Sequence, residues 1–367
     1  MLRRLALPVL ALAAVAHAQT ATVAGTVRDD AGAPLAGASV YLSGTARGTS
    51  ADAEGRYEIA DVPAGSYRVV ASLVGYGAAT HDLRLPPHAR GVVTFTLSEA
   101  TLDLGRVRVE AERDRRWERR FRQFQQALLG ESENAEQTVI LNPEVLDFRS
   151  RWGTLRATAR APLVIENRAL GYRLVYDLHA FRASASRIEY DGDEYFTPLA
   201  PSSPDEAARW EAARARAYRG SLRHLLRTLF DDDAEPEGFG LRIVRSDPVA
   251  RRPFAPSVPV STRRLLRVEA TGWGTLRIPG RLEVVYRGEP EERAYLDSEW
   301  YQGAGGRPQP VQRSTVFLSG GSARIDPQGT PEDPMAVVTT GHMAFERLSD
   351  LVPEEYVPSE PNPDMKP

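Results

Sequence analysis

Residues 21–98 are divided into short apolar stretches by closely spaced turn residues, and this pattern restricts their fold more than any other feature of the chain. The turn clusters at 29–32, 52–55 and 63–65 separate stretches of four to seven residues. Within one stretch, Tyr67 and Val69 occupy alternate positions, so both lie on one face of a strand. Short strands at this spacing are typical of a β-sandwich.

Several motifs in this segment occur in a specific order. They are PLAGA at 34–38, TSADAEGRY at 49–57, PAGSY at 63–67 and GY at 75–76. In this order they resemble the carboxypeptidase regulatory-like domain. The resemblance implies a seven-stranded, transthyretin-like (prealbumin-like) sandwich over residues 19–98. It also implies a fold shared with domains that bind carbohydrate.

The N-terminus predicts export. Arg3 and Arg4 precede an apolar run of eleven residues, and Ala16-His17-Ala18 supplies a cleavage site before Gln19. Residues 1–18 are therefore predicted to be a secretory signal peptide. The run is too short for a membrane anchor, which needs about 20 apolar residues. We expect an exported protein of a Gram-negative bacterium, either periplasmic, outer-membrane-associated or extracellular, with no transmembrane segment after cleavage.

Composition excludes several classes of protein. The 46 basic and 49 acidic residues nearly balance, so no large field of one sign favours a nucleic-acid partner. The chain contains no cysteine, which excludes disulfides, thiolate metal sites and a cysteine nucleophile. We therefore expect burial of apolar side chains alone to hold the fold together.

The rest of the chain predicts a larger α+β domain at 114–356, rich in antiparallel strands, so the fold class is mainly β with some α. It follows a linker strand at 99–113 and precedes a disordered tail at 357–367. The α+β segment resembles a module that follows such regulatory-like domains in exported bacterial proteins, and the resemblance implies no activity. An apolar stripe predicts a helix that ends at Gly130, and the sequence leaves open whether it packs on one or both domains. The stripe consists of Trp117, Phe121, Phe124 and Leu128.

Further local signals place a hairpin and two helices in the α+β segment. Asp191-Gly192-Asp193-Glu194 separates two alternating stretches and predicts a hairpin turn. Ser203 before Pro204 predicts the start of a long helix. Gly220 predicts its end, and Ser221 predicts the N-cap of a second helix.

No catalytic motif is present. None of the six histidines has a glutamate at the third following position, and HExxH and GxSxG are both absent. A zinc peptidase and a serine hydrolase are therefore not expected, nor is any cofactor. Ser221 and His224 lie three residues apart, but we interpret them as a helix cap and a partly buried polar residue.

The predicted function is a non-catalytic binding or scaffolding role at the cell envelope, with a glycan or another envelope protein as partner. Trp273, Trp300 and Tyr301 are the candidate ligand contacts because aromatic rings stack on sugars. The alternative is a hydrolase with a carboxylate site in residues 138–356. Two acidic groups, Asp191-Asp193-Glu194 and Asp231-Asp232-Asp233, are more readily explained as solvated loop residues. A calcium site at Asp191-Gly192-Asp193 is conceivable, but the sequence lacks the twelve-residue ligand loop that would indicate one specifically.

Overall fold

The computed structural model describes residues 20–86, 88–99, 115–185, 187–244, 257–270, 272–298 and 310–359. The predicted signal peptide, nearly all of the linker strand and most of the predicted tail lie outside these ranges, as do Trp300 and Tyr301. The described chain is mostly β, with several antiparallel sheets and an N-terminal sheet-rich unit followed by an α+β region. The predicted fold class is confirmed.

The N-terminal unit is a sandwich of two sheets, with strand orders β4-β1-β7 and β3-β2-β5-β6. Strand β1 pairs antiparallel with β4 and parallel with β7. The inner faces enclose a cluster that includes Val23, Val40 and Val69, none of which is exposed. The strands are β1 (Thr20–Asp29), β2 (Ser39–Leu42), β3 (Gly48–Ser50), β4 (Arg56–Pro63), β5 (Gly65–Ser72), β6 (Ala79–Leu85) and β7 (Arg90–Leu97).

A six-stranded antiparallel sheet and a helix form the next part of the chain. The order is β8-β11-β12-β10-β9, and β13 pairs with the other side of the long strand β12. Helix α1 contributes Phe124 and Leu128 to the core of this sheet, so it packs with the second unit. The elements are α1 (Arg115–Leu129), β8 (Thr138–Ile140), β9 (Leu146–Arg151), β10 (Thr154–Ala159), β11 (Leu163–Asn167), β12 (Tyr172–Ser184) and β13 (Arg187–Pro198).

The predicted hairpin turn at 191–194 is wrong. These residues lie in the middle of β13, and the chain reverses after Ser184, which pairs with Arg187. The sequence predicts a turn at Gly192, but in the structure this glycine is needed for close packing. A Cβ at this position would lie 2.6 Å from the ring of Tyr176 and 2.5 Å from the carbonyl oxygen of Asp177.

Two helices follow, and both begin at the predicted caps. The Ser203 hydroxyl accepts a hydrogen bond from the Glu206 N–H, and the Ser221 hydroxyl accepts one from the His224 N–H. His224 is 5 % exposed, and its Nδ1 accepts a hydrogen bond from the Gly220 N–H. Burial lowers its pKa to about 4. Ser221 and His224 therefore have the structural roles that the sequence predicted. The helices are α2 (Pro204–Tyr218) and α3 (Leu222–Asp231).

The C-terminal part packs two further sheets around a third hydrophobic cluster, which includes Leu226, Phe239 and Ile325. The strand orders are β15-β14-β18-β19-β21 and β16-β17-β20. The elements are β14 (Phe239–Val244), β15 (Ser257–Pro259), α4 (Thr262–Leu265), β16 (Leu266–Val268), β17 (Gly274–Leu276), β18 (Arg281–Tyr286), α5 (Arg293–Asp297), β19 (Gln312–Leu318), β20 (Ala323–Ile325), β21 (Val337–Gly341) and α6 (His342–Phe345). Within the described ranges, no helix is long and apolar enough to cross a bilayer.

Candidate functional site

The sandwich docks onto edge strand β13 through the turn between β2 and β3. Thr45 forms a parallel bridge with Tyr195. The Gly44 N–H donates to the Glu194 carbonyl at 2.8 Å, and the Phe196 N–H donates to the Thr45 carbonyl at 3.0 Å. This turn pairs with backbone groups of β13, so the sandwich covers an edge that would otherwise be exposed.

Gly44 allows a third contact at the same turn. Its φ is +79°, and a Cβ there would lie 2.7 Å from the side chain of Glu354. The Glu354 N–H donates to the Gly44 carbonyl at 2.8 Å. The turn is therefore held between β13 and the segment around Glu354, which follows helix α6.

Side chains reinforce this junction around Asp193, which is 1 % exposed. The Ser43 hydroxyl donates to its Oδ1 at 2.7 Å, and an Arg68 guanidinium nitrogen lies 3.4 Å from the same oxygen. His179 Nε2 lies 3.2 Å from the other oxygen, Oδ2. A buried carboxylate needs such charged partners. Asp193 therefore links the two units.

His179 lies among three carboxylates on this face of the β12–β13 pair. The nearby Asp191 raises the pKa of His179, with further contributions from Asp193 and Asp177. His179 in turn lowers the pKa of Asp191, whereas burial raises the pKa of Asp177. Opposite charges at this range stabilise each other's ionised forms.

A cavity of about 470 Å³ lies beside this junction. The sandwich contributes hydroxyl, aromatic and arginine side chains and one carboxyl, and the α+β region contributes further carboxyls and aromatic rings, including that of Trp273. The residues that line it are Ser43, Gly44, Ser66, Tyr67, Arg68, Asp82, Leu83, Arg84, Tyr176, Tyr190, Asp191, Gly192, Asp193, Glu194, Trp273, Asp326, Thr330, Pro331, Glu332, Pro334, Leu348, Leu351 and Glu354. This volume and mixed lining are those of a small-molecule site.

Trp273 is held in the cavity wall by two contacts. Its Nε1–H donates to the Ser66 hydroxyl at 3.1 Å, across the boundary between the two units. The Arg324 guanidinium lies 4.8 Å from the ring centroid, which is cation–π geometry. The indole orientation is therefore fixed before any ligand enters.

Three carboxyls on the cavity wall interact electrostatically. Burial raises the pKa of Glu194 to about 7, with smaller contributions from Glu354 and Asp193. Burial, followed by the charge of Glu354, raises the pKa of Asp326 to about 7. Glu354 accepts a hydrogen bond from the Thr330 hydroxyl at 2.6 Å and lies 3.9 Å from an Arg223 guanidinium nitrogen. Near neutral pH, Glu194 and Asp326 can therefore donate as well as accept hydrogen bonds.

The structure thus brings one predicted ligand contact, Trp273, into a cavity with Asp191, Asp193 and Glu194. These three acids are not solvated turn residues, as the sequence had suggested, because they lie in a strand and line the cavity. Asp231–Asp233 has a structural role: Asp232 ends α3 with φ +58° and bonds to Thr262 and Arg263. Among the described residues, no group of three or more histidines and acids is arranged to hold a metal ion.

Sequence reasoning missed the cavity residues of the sandwich and of the C-terminal part. Ser43 and Asp193 are separated by 150 positions in the chain. No motif connects them, or connects Ser66 to Trp273. The alternation of Asp191 and Asp193 was the one available signal, because residues two apart in a strand share a face.

Comparison with known proteins supports the assignment of the sandwich. Residues 22–98 match the model of the carboxypeptidase regulatory-like domain family. The N-terminal unit is a carboxypeptidase regulatory-like domain. The match does not extend into the α+β region that supplies most of the cavity. A comparison with curated protein sequences gave no match.

Solved structures resemble the regulatory-like domain over about a fifth of this chain. A cohesin–X-dockerin complex of Acetivibrio cellulolyticus is 25 % identical, with 23 % of this chain and 62 % of that chain covered and a TM-score of 0.21. The 3-chlorocatechol 1,2-dioxygenase of Rhodococcus opacus is 17 % identical, with 22 % and 60 % covered and a TM-score of 0.20. The minor pilin of Streptococcus agalactiae is 19 % identical, with 22 % and 45 % covered and a TM-score of 0.20. The chain spans 56–62 % of the length of the first three structures matched. Likenesses this distant carry no argument about activity.

Proposed function

We propose that this is an exported protein that binds a carbohydrate in the junction cavity without cleaving it. The observation that carries the proposal is the convergence of Trp273 with hydroxyl and carboxyl groups on one cavity of about 470 Å³. An aromatic ring packs against the C–H face of a sugar, while polar groups bind its hydroxyls and fix its orientation. The predicted signal peptide at 1–18 supports export.

The polar groups of the cavity suit a ligand with many hydroxyls. Glu194 and Asp326 each have a pKa of about 7, so in the protonated form each offers both a donor and an acceptor. Ser43 and Ser66 add hydroxyls from the sandwich, but each is already engaged, with Asp193 and with Trp273. Arg68 adds a cationic donor.

A glycan and peptidoglycan-fragment binding screen on the mature protein tests the proposal. We expect Trp273→Ala to weaken binding of any captured glycan by about tenfold or more, since losing an aromatic stack and its buried area costs more than about 1.4 kcal/mol. Trp273→Phe keeps a ring but loses the hydrogen bond to Ser66, so it should lose less affinity. Trp152→Asn, at a 90 % exposed tryptophan that does not line the cavity, is the matched control. Equal affinity of Trp273→Ala and wild type would contradict the proposal.

A carboxylate hydrolase is the second candidate, and it is favoured by one observation. Glu194 and Asp326, each with a pKa raised to about 7, line the same cavity as Glu354. Glycoside hydrolysis needs one carboxyl that keeps its proton near neutral pH and a second that is ionised.

Turnover distinguishes the two candidates. Any glycan captured in the screen would be incubated with wild type and with Glu194→Gln, and new reducing ends would be measured. Release by wild type that Glu194→Gln abolishes, while binding is retained, would establish the hydrolase. Tight binding with no release would support a binding protein.

A further inference from the structure

The tip of the β9–β10 hairpin carries an unusually exposed tryptophan. Trp152 is 90 % exposed, and its indole forms no hydrogen bond, ring contact or cation–π contact with any described residue. It is followed by Gly153, and the pair Arg151–Thr154 closes the turn. A large aromatic side chain in this position gains nothing from the protein's own core. Packing within the described fold therefore does not account for a tryptophan at this position.

The backbone at this tip is also unfavourable for tryptophan. Trp152 has φ +52° and Gly153 has φ +74°, so both central residues of the two-residue turn lie in the left-handed region. This turn strongly favours Asn-Gly or Asp-Gly, and a bulky aromatic rarely adopts positive φ. The hairpin therefore keeps a tryptophan where asparagine would fit better. Such an outlier is a reason to look for function.

Arginines are arranged behind this tip on one face of the sheet. Arg149 lies opposite Arg156, and Arg156 lies opposite Arg182 on β12. Arg151 shares their face, because it is two residues from Arg149. Like charges in direct cross-strand positions repel one another. The row therefore lowers the stability of the sheet unless an anion lies nearby.

Within the described residues, the acidic side chains near this row are already paired with arginines. Asp147, which shares the face of Arg149, lies 3.3 Å from Arg160. Arg182 lies 3.6 Å from Glu189. Arg149, Arg151 and Arg156 are all exposed, and none forms an ion pair or side-chain hydrogen bond within the described part of the chain. Three unpaired guanidinium groups therefore face solvent beside the exposed indole.

We propose that this tip binds the headgroup layer of an anionic lipid bilayer, with Trp152 inserted and the arginines on the phosphates. Tryptophan prefers the bilayer interface because its ring is amphipathic. Arginine pairs with phosphate through two parallel hydrogen bonds.

The order of the groups along the hairpin favours a bilayer over a soluble acidic polymer. The aromatic ring lies at the furthest point. Arg149 follows three residues behind it, or about 10 Å at the rise of a strand. A headgroup layer is about 5–8 Å thick. When the indole is at the edge of the hydrocarbon, Arg151 would therefore lie within this layer, and the long side chains of Arg149 and Arg156 would reach the phosphates from its outer side. Electrostatic attraction and the interfacial preference of one indole together give reversible binding at the bilayer surface, not a segment that spans the bilayer.

Vesicle co-sedimentation tests the proposal, with phosphatidylcholine vesicles compared with vesicles that also contain phosphatidylglycerol. We expect binding to the anionic vesicles only. Trp152→Asn should reduce that binding by about tenfold or more, and its melting temperature should equal or exceed that of wild type because asparagine suits the turn. Val74→Asn is the matched control, since Val74 is 98 % exposed at another site on the surface. It should bind as wild type does.

A charge series tests the arginines separately. The triple variant R149Q/R151Q/R156Q should lose about a hundredfold, because each arginine near an anionic surface contributes about fivefold. The control R264Q/R267Q/R277Q removes three exposed arginines elsewhere in the chain and should lose much less.

Several outcomes would overturn the proposal. They are undiminished vesicle binding by Trp152→Asn, equal losses in the two triple variants, and equal binding to both kinds of vesicle. Binding to soluble dextran sulfate that matches vesicle binding and is unchanged by Trp152→Asn would indicate an acidic-polymer site instead.

Discussion

Asp326 lines the junction cavity and is 4 % exposed, and its pKa of about 7 reflects burial first and then the charge of Glu354. Asp326→Asn removes this titration but keeps the shape of the side chain. It also keeps an oxygen that can accept the hydrogen bond from the Thr330 N–H, which is 2.8 Å from Oδ1. We therefore expect the stability of this variant relative to wild type to increase as the pH rises.

The sign follows from proton linkage. The folded protein holds the Asp326 proton up to about pH 7, whereas the unfolded chain releases it near 3.8, the ordinary pKa of an aspartate. Wild type therefore loses stability between these values as the pH rises, and the loss is complete above the folded pKa. From pH 5 to pH 7 the change is two units at 1.36 kcal/mol each, or about 3 kcal/mol at most. Asparagine does not titrate, so the difference in unfolding free energy between variant and wild type grows by up to this amount.

Thermal unfolding at pH 5 and pH 8, followed by circular dichroism, measures the change. Three kcal/mol corresponds to a melting-temperature gain of roughly 6–12 °C at pH 8 relative to pH 5. Glu332→Gln is the control, because Glu332 is half exposed and pairs with Arg324 on the surface. It should change stability by less than about 1 kcal/mol at either pH. A melting-temperature difference between Asp326→Asn and wild type that is the same at both pH values would refute the reasoning.

Two further substitutions test the junction and the core. Gly44→Ala should lower the melting temperature more than Gly32→Ala. Both glycines have positive φ, but of the two only Gly44 has a close neighbour, because a Cβ there would lie 2.7 Å from the Glu354 side chain. Equal losses would show that the contact with Glu354 is unimportant. Phe124→Ala should cost about 3–5 kcal/mol in a denaturant titration, because Phe124 is fully buried and its ring lies 4.6 Å from that of Phe181. A loss below about 1 kcal/mol would mean that α1 does not anchor the core of the six-stranded sheet.

Local signals in the sequence predicted the local structure well. The turn and strand motifs of residues 21–98 each depend on neighbours a few positions away, and the structure confirms the seven-stranded sandwich. The same holds for the helix caps at Ser203 and Ser221, where one hydroxyl bonds to an N–H three residues later. Interactions of this range are readable from one sequence because both partners appear in the same short window.

The β12–β13 hairpin could not be predicted in this way. Gly192 in an Asp-Gly pair is a strong turn signal, but here the missing side chain makes room for the Tyr176 ring on the neighbouring strand. The actual reversal follows Ser184. The register of β12 and β13 also shifts between Leu178 and Ala180. A glycine that serves tertiary packing and one that serves a turn are identical in sequence, and only the partner strand distinguishes them.

The sandwich turn and helix α1 each cover part of an outer strand of the six-stranded sheet, and the two proposed sites lie beside these strands. On one edge, the sandwich turn pairs with β13 and creates the junction cavity. On the other, the Trp117 Nε1–H donates to the Leu146 carbonyl at 3.3 Å, and an Arg120 guanidinium donates to the Phe148 carbonyl at 3.4 Å, so α1 covers part of β9. The Trp152 hairpin projects from this second edge. A sheet that contacts a bilayer at the β9–β10 end would thus keep its ligand cavity at the opposite edge, so a mutation in one site should leave the other unchanged.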